Sequence, residues 1–320
     1  MKDIRVLSLG VMAMDTVLSV SDLPRPDGFG FIESERMVPG GSASNASVAM
    51  VQLGLSVRQA GKIGDDHKGK DLLRSLVDEG IDVSPMVTKK GGTTFHTYIF
   101  AAGGGEHCIF ANTGDAVTRL KASELPPDVL DGVDVLYTDF FVPDAGLYLA
   151  RQSEKLGIKV VLNLQCPPSF MERIGVAREE IEEMMALSDL FVMGRAGYEG
   201  LCGSGTGEEE VSLALSRIFE RFGPTDGVVL TCGESGAFWR SGEGTLHGEA
   251  YPVTVADTTG AGDCFVAGLI CGLYAEGMGR ADALRYASAA AALKCMQHGP
   301  RVRASRGEVL RFIEERERKN

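Results

Sequence analysis

The chain has 320 residues, 44% of them hydrophobic and 24% charged, with 32 basic against 44 acidic side chains and a formal net charge of −12. This is globular composition with enough chain for a large core. It speaks against a nucleic-acid binder, which needs a basic face, since no basic cluster runs longer than Lys89-Lys90. No apolar run reaches the ~18 residues of a membrane helix, so neither nucleic acid nor membrane is expected as a partner.

The N-terminus carries Lys2 and Arg5 before Val6–Met14, a stretch interrupted by Ser8 and Gly10 and followed by Asp15. It reads as a first strand rather than a signal peptide. The seven cysteines, at 108, 166, 202, 232, 264, 271 and 295, are odd in number and form no C-x-x-C pair. That usage fits free thiols in a reducing cytoplasm. Glycine supplies 41 residues without a collagen-like period, so these residues serve turns and close backbone approaches.

In chain order, Ile4–Leu9 reads as a strand, Ser42–Leu53 as a helix, Val57–Ile63 as a strand and Gly69–Glu79 as a helix. The alternation resumes with strands at Val133–Thr138, Lys159–Leu164, Leu190–Met193 and Gly227–Thr231. Helices are expected at Asp144–Leu156, Ala177–Ala186 and Glu208–Phe222. Alternating β and α units imply a mostly parallel sheet with helices on both faces. Two stretches break the pattern. Thr16–Val38 carries Pro24, Pro26, Gly28 and Gly30 and no helix. Thr94–Ala101 and Glu106–Asn112, joined by Gly103-Gly104-Gly105, read as a hairpin. Together they predict a small antiparallel sheet beside the main one.

Several motifs fail on inspection. Gly64–Lys70 has Walker spacing, but Asp71 stands where Ser or Thr should meet Mg²⁺, so it reads as a turn before a helix. No G-x-G-x-x-G, H-E-x-x-H, paired Cys/His spacing or G-x-S-x-G is present.

Three segments carry chemistry. Asp257-Thr258-Thr259-Gly260-Ala261-Gly262-Asp263 precedes an apolar helix. The unpaired N–H groups at a helix start, bared by small residues, form an anion hole. Asp263 then suits a general base for a substrate hydroxyl; the same residues also read as a glycine-rich turn with a capping acid. Gly40-Gly41 and Asn45 open the first helix and, with Asp15, supply either hydroxyl contacts for a polyol or helix capping. Thr231, Gly233 and Gly236 follow a strand, as nucleotide-bordering loops or simple turns do.

In this order and spacing the segments resemble the ribokinase-like (PfkB) family of carbohydrate and nucleoside kinases, along nearly the whole chain. Gly10 with Asp15, Gly61–Gly69 and a complete D-T-x-G-A-G-D at 257–263 belong to the match. The resemblance implies a three-layer α/β/α sandwich formed by residues 1–15, 39–92 and 113–320. A β-sheet lid formed by 16–38 and 93–112 closes over the sugar and often dimerises. It implies an ATP- and Mg²⁺-dependent kinase that phosphorylates a hydroxymethyl group. Asp263 is then the base and Gly260, Ala261 and Gly262 the anion hole. Asp15, Gly41 and Asn45 contact the sugar, Thr231, Gly233 and Gly236 face ATP, and Asp257 and Thr259 fall at a site for K⁺ or another monovalent cation.

The chain departs from the family at named places. Gly194 and Gly197 stand where N-x-x-E holds Mg²⁺-bound waters, with Glu199 two residues on. Ser42 replaces a lysine typical of ribokinases, an acidic sugar contact is replaced by Phe141 or shifted to Asp139, and Arg303 stands near the cation site. These differences argue against plain ribose. They keep a nucleoside kinase, with Phe140 and Phe141 stacking on a ring or filling the core, and a catalytically weak sensor as alternatives.

Overall fold

The computed structural model describes residues 2–102, 106–205 and 207–318; the Gly103-Gly104-Gly105 turn lies outside them. Strands are β1 (Arg5–Leu9), β2 (Ala13–Val20), β3 (Ile32–Gly40), β4 (Ser56–Gly64), β5 (Met86–Lys89), β6 (His96–Ala102), β7 (His107–Asn112), β8 (Val135–Thr138), β9 (Lys159–Leu164), β10 (Leu190–Gly194), β11 (Gly227–Thr231), β12 (Ala237–Ser241) and β13 (Gly244–Gly248). Helices are α1 (Ser42–Gln52), α2 (His67–Asp78), α3 (Pro143–Leu156), α4 (Pro168–Arg173), α5 (Arg178–Leu187), α6 (Arg195–Cys202), α7 (Glu208–Phe222), α8 (Ala261–Ile270), α9 (Arg280–Cys295) and α10 (Arg306–Glu317).

The main sheet has nine strands in the order β13-β12-β11-β10-β9-β8-β1-β4-β5. Its seven-strand body is parallel, and only the β11–β12 and β12–β13 ladders are antiparallel. The central strands are mostly apolar because both faces are covered. Alternate residues feed two cores. Val6, Val135, Tyr137, Val161, Val192 and Val229 point toward α1, α2, α8, α9 and α10. Leu7, Leu136, Leu162, Phe191 and Leu230 point toward α3, α4, α5, α6 and α7.

Local chemistry explains the boundaries. Asp66 caps α2 by accepting from the Gly69 N–H, which makes Gly64–Lys70 the turn before a helix. Pro143 sits at the start of α3, and Gly157 ends that helix in the left-handed region at φ 70°. Ser305 and Glu308 form a capping box at α10. Cys264 and Cys271 are both buried, as their shared helix face predicts.

A second, four-stranded sheet has the order β3-β2-β6-β7. It is mixed: β2–β3 and β6–β7 are antiparallel, while β2 and β6 run parallel. It takes in Ala13–Asp15 and Pro39–Gly40 beyond the stretches expected for it, so Asp15 lies on a strand of the small sheet. None of the described helices is long and apolar enough to cross a membrane.

Candidate active site

In an open parallel sheet, ligand sites form beyond the carboxyl ends of the strands. Here those ends are followed by Gly10 (after β1), Asp139 (after β8), Gln165 (after β9) and the Cys232–Gly236 loop (after β11). The starts of α1 and α8 meet at the same edge.

Asp263 lies in the first turn of α8 and is 4% exposed. Its Oδ1 accepts from Ser42 Oγ at 2.8 Å and Gln165 Nε2 at 2.7 Å, and its Oδ2 accepts from Asn45 Nδ2 at 3.1 Å. Burial pushes its carboxyl up to about 6, against the opposing effect of these three hydrogen bonds. A carboxylate offers about four acceptor positions, so Oδ2, with a single donor, keeps room for a hydroxyl.

The loop before Asp263 requires its glycine. Gly260 has φ 78°, and a Cβ there would lie 2.0 Å from the Pro300 carbonyl oxygen. The first intrahelical bond of α8 runs from Cys264 N to Gly260 O, so the N–H groups of Gly262 and Asp263 precede the helical ladder. Gly262 leaves open space, its nearest neighbour being Gln165 Nε2 at 3.9 Å from an added Cβ.

Gly41, the N-cap of α1, has φ 91°, and a Cβ on it would lie 2.6 Å from Val11 O. The tight turn lets Asn45 reach Asp263. Asn45 is buried, and its Oδ1 has no hydrogen-bond partner; such an atom costs free energy unless a ligand donates to it. On the small sheet, Asp15 Oδ1 accepts from Thr97 Oγ1 at 2.6 Å. A Cβ on Gly40 would lie 2.1 Å from Asp15 Oδ2. Burial raises the Asp15 carboxyl, with the Thr97 bond opposing. Asn45 and Asp263 are thus bonded directly, while Asp15 lies beside Gly40, next to the Gly41 turn that opens α1.

Thr231, Gly233 and Gly236 cluster two strands away from β9, about 10 Å along the sheet at the usual strand spacing. Gly236 has φ 81°, and a Cβ on it would lie 2.0 Å from Gly248 O. Beside them, Gly194 pairs with Thr231 across β10–β11. A Cβ on Gly197 would lie 2.7 Å from Leu164 O, and Glu199 is exposed. Among the described residues no group of three or more His, Cys, Asp or Glu could hold a metal ion. Gly194 and Gly197 offer no side chain to hold Mg²⁺ or its waters.

Asp257 Oδ1 accepts from the Thr259 N–H at 2.8 Å and Oδ2 from the Gly299 N–H at 2.9 Å. Partial burial works against its ionisation, but those bonds and the nearby Lys294 charge hold it below the usual carboxylate range. Arg303 reaches away to Glu79 at 3.2 Å.

Asp139 is fully buried and faces the turn after β1. Its carboxylate accepts from Val11 N at 2.9 and 3.2 Å and from Phe141 N at 3.2 Å. A Cβ on Gly10 would lie 2.2 Å from Asp139 Oδ1, which accounts for that glycine. Burial pushes Asp139 up to about 7. Phe140 and Phe141 are buried in the core.

Sequence reasoning singled out Asn45 but missed Gln165 and the bond from Ser42 as donors to Asp263. Ser42 Oγ also lies 3.4 Å from Tyr137 Oη, which accepts from Asn163 Nδ2 at 3.0 Å. The available signal was polar residues, Tyr137, Asn163 and Gln165, in or just after apolar strands.

Comparison with known proteins agrees with this geometry. Residues 3–305 match the pfkB family of carbohydrate kinases. Over 98% of its length the chain is 28% identical to an ATP-dependent ribose-1-phosphate kinase of Halopiger xanaduensis, covering 99% of that protein. It is also 28% identical to the ribokinase of Haemophilus influenzae, over 96% of this chain and 97% of the other. The structure of Arabidopsis thaliana ribokinase complexed with ribose and ATP superposes with a TM-score of 0.83 at 20% identity, over 98% of this chain and 99% of that one. With its two sheets and a buried aspartate at the start of α8, this chain belongs to the pfkB family of carbohydrate kinases and is a phosphotransferase with an alcohol acceptor.

Proposed function

We propose that the protein transfers the γ-phosphoryl group of ATP to a hydroxymethyl group of a sugar or sugar-like substrate. The observation that carries the reading is Asp263: buried, ionised above a pKa of about 6, fixed by three donors and set at a helix start. Asp263 takes the proton of the attacking hydroxyl, whose oxygen bonds to the γ-phosphorus as the bond to the ADP oxygen breaks. The N–H groups of Gly262 and Asp263, bared by Gly260 and Ala261, face the charge that spreads over the transferring oxygens. Asp15, Gly41 and Asn45 orient the acceptor, and the unpaired Asn45 Oδ1 accepts a hydrogen bond from one of its hydroxyls. Thr231, Gly233 and Gly236 border the nucleotide. Mg²⁺ keeps most of its waters, so it travels on the ATP phosphates and neutralises part of their charge.

The small sheet serves as the lid over the acceptor. Its two edges expose apolar side chains, Phe31 (76%) just before β3 and Phe110 (63%) and Ile109 (55%) on β7, and an exposed edge of this kind invites pairing. A second copy of the lid fits it, giving a homodimer. The nucleoside alternative loses one support, because Phe140 and Phe141 are taken up by the core. A panel of sugars, sugar phosphates, sugar acids and nucleosides with Mg-ATP tests the reading by ADP release. Turnover with a hydroxymethyl acceptor that is lost in Asp263→Asn supports it; ATP binding without turnover on any acceptor overturns it.

A further inference from the structure

The loop that leads into α8 rests on a buried ammonium group. Lys294 sits in the last turn of α9, a helix otherwise rich in alanine there, and it is 0% exposed. Buried lysines are rare unless paired. Both partners of this one are backbone carbonyls: Nζ donates to Asp257 O at 2.7 Å and to Gln297 O at 3.4 Å. The α9 helix lies hard against α8, where a Cβ on Gly268 would stand 2.7 Å from the Ala287 Cα. The segment after α9 backs the same loop through the contact of Pro300 with Gly260 and the bond from Gly299 N to Asp257.

A monovalent metal ion at Asp257 and Thr259 would need oxygen ligands from these residues. Those of Asp257 each already carry a donor: the carboxylate accepts from the Thr259 and Gly299 amides, and the carbonyl accepts from Lys294. The buried Lys294 ammonium, 2.7 Å from the Asp257 carbonyl oxygen, would repel a second cation there. The donor set of this loop therefore does not fit a K⁺ ion.

We infer that the Lys294 ammonium is the resident cation of this loop, a positioning residue that holds Asp257–Gly260 in place of a dissociable alkali ion. The physical consequence is independence from K⁺. A bound ion leaves when its concentration falls, whereas a covalently tethered charge does not. Lys294 has no contact with the reacting atoms and acts through the backbone that shapes the start of α8.

The test compares about 0.1 M potassium chloride with about 0.1 M tetramethylammonium chloride, which screen equally, on the wild type, Lys294→Ala and Lys294→Met. The activity arm rests on the kinase reading. The thermal-unfolding arm does not, so a failure of that reading leaves the second arm intact. The wild type should show no K⁺-specific change in Tm beyond about 1 °C and less than about a twofold change in kcat/KM. Lys294→Ala should lose roughly tenfold or more of kcat/KM in tetramethylammonium. It should then regain part of that activity, and a few degrees of Tm, in K⁺, because a ligand that binds only the folded state stabilises it. Lys294→Met fills the aliphatic space and guards against simple loss of packing. A wild type that K⁺ stabilises overturns the inference. So does a folded Lys294→Ala or Lys294→Met protein that gains nothing from K⁺, since the lysine is then only a structural pin.

Discussion

Two carboxylates, Asp263 on the body and Asp15 on the small sheet, are held very differently. Asp263, on the body, accepts from three side chains and is nearly sealed from water. Asp15, on the small sheet, is half-buried and has one side-chain donor, Thr97. Burial raises both above the ordinary aspartate value. The difference is in how firmly each is fixed. On the proposed reading Asp263 is a base, which must be held within hydrogen-bond reach of its proton through the reaction, and Ser42 and Asn45 of α1 with Gln165 after β9 do that. A residue that grips a substrate under a lid has to accept a new partner as the lid closes, and a single donor on a neighbouring strand leaves it free to do so.

The largest effect is expected at the fixed carboxylate. Asp263→Asn should lower kcat by about 10³–10⁴-fold with ATP binding retained, measured by steady-state ADP release and isothermal titration. In the wild type, kcat/KM should fall as pH drops through about 6, where Asp263 takes up its proton. An activity flat down to pH 5 would remove Asp263 from the role of base.

Next comes the loop that aims the helix start. Gly260→Ala places a Cβ 2.0 Å from Pro300 O in a left-handed conformation. It should cost about 1–3 kcal/mol of stability, a Tm drop of several degrees, and about 10²-fold or more in kcat. Gly262→Ala meets nothing closer than 3.9 Å, so it should leave Tm nearly unchanged while crowding an incoming phosphoryl group and lowering kcat.

On the small sheet the balance shifts from kcat to KM. Asp15→Asn should raise KM for the acceptor by about 10–100-fold, the worth of a hydrogen bond to a charged group, with kcat changed far less. The exposed apolar side chains of the edge strand β7 offer a separate handle. Phe110→Asp should shift sedimentation toward a monomer while changing monomer stability by less than about 0.5 kcal/mol, as for an exposed position.

The two regions also differ in how readable they were. The body's strands and helices follow from continuous apolar runs and 3.6-residue periodicity, and β9, α7 and β11 fall on their expected residues. The start of α8 was legible because D-T-x-G-A-G-D packs a turn, a close approach and an acid into seven residues. The parallel β2–β6 ladder was not, because it joins strands separated by about 75 residues of intervening chain. Nor was Gln165: only the pairing of β9 beside β8 brings that side chain onto Asp263. Lys294, a lone lysine on an alanine-rich helix, carries no sequence signal of burial. Only the packing of α9 against α8 and the 257–260 loop shows it buried.

The smallest expected effect separates the one-donor carboxylate from the three-donor one most sharply. Thr97→Val removes the only side-chain donor to Asp15 among the described residues while keeping the β-branched shape that suits β6. The Thr97 hydroxyl lowers the Asp15 carboxyl against burial, which raises it, so its loss should raise that carboxyl further. If the ionised form of Asp15 grips the acceptor, KM should then start to climb at a higher pH in the variant than in the wild type, with a change of a few-fold near neutrality and kcat preserved. The matching change at the other carboxylate, Ser42→Ala, removes one of three donors. Asp263 keeps Asn45 and Gln165, so its acid limb should move up only slightly and the loss should appear in kcat. Equal displacement of the KM and kcat profiles by the two variants would mean that the two carboxylates act as one coupled unit rather than as a grip and a base.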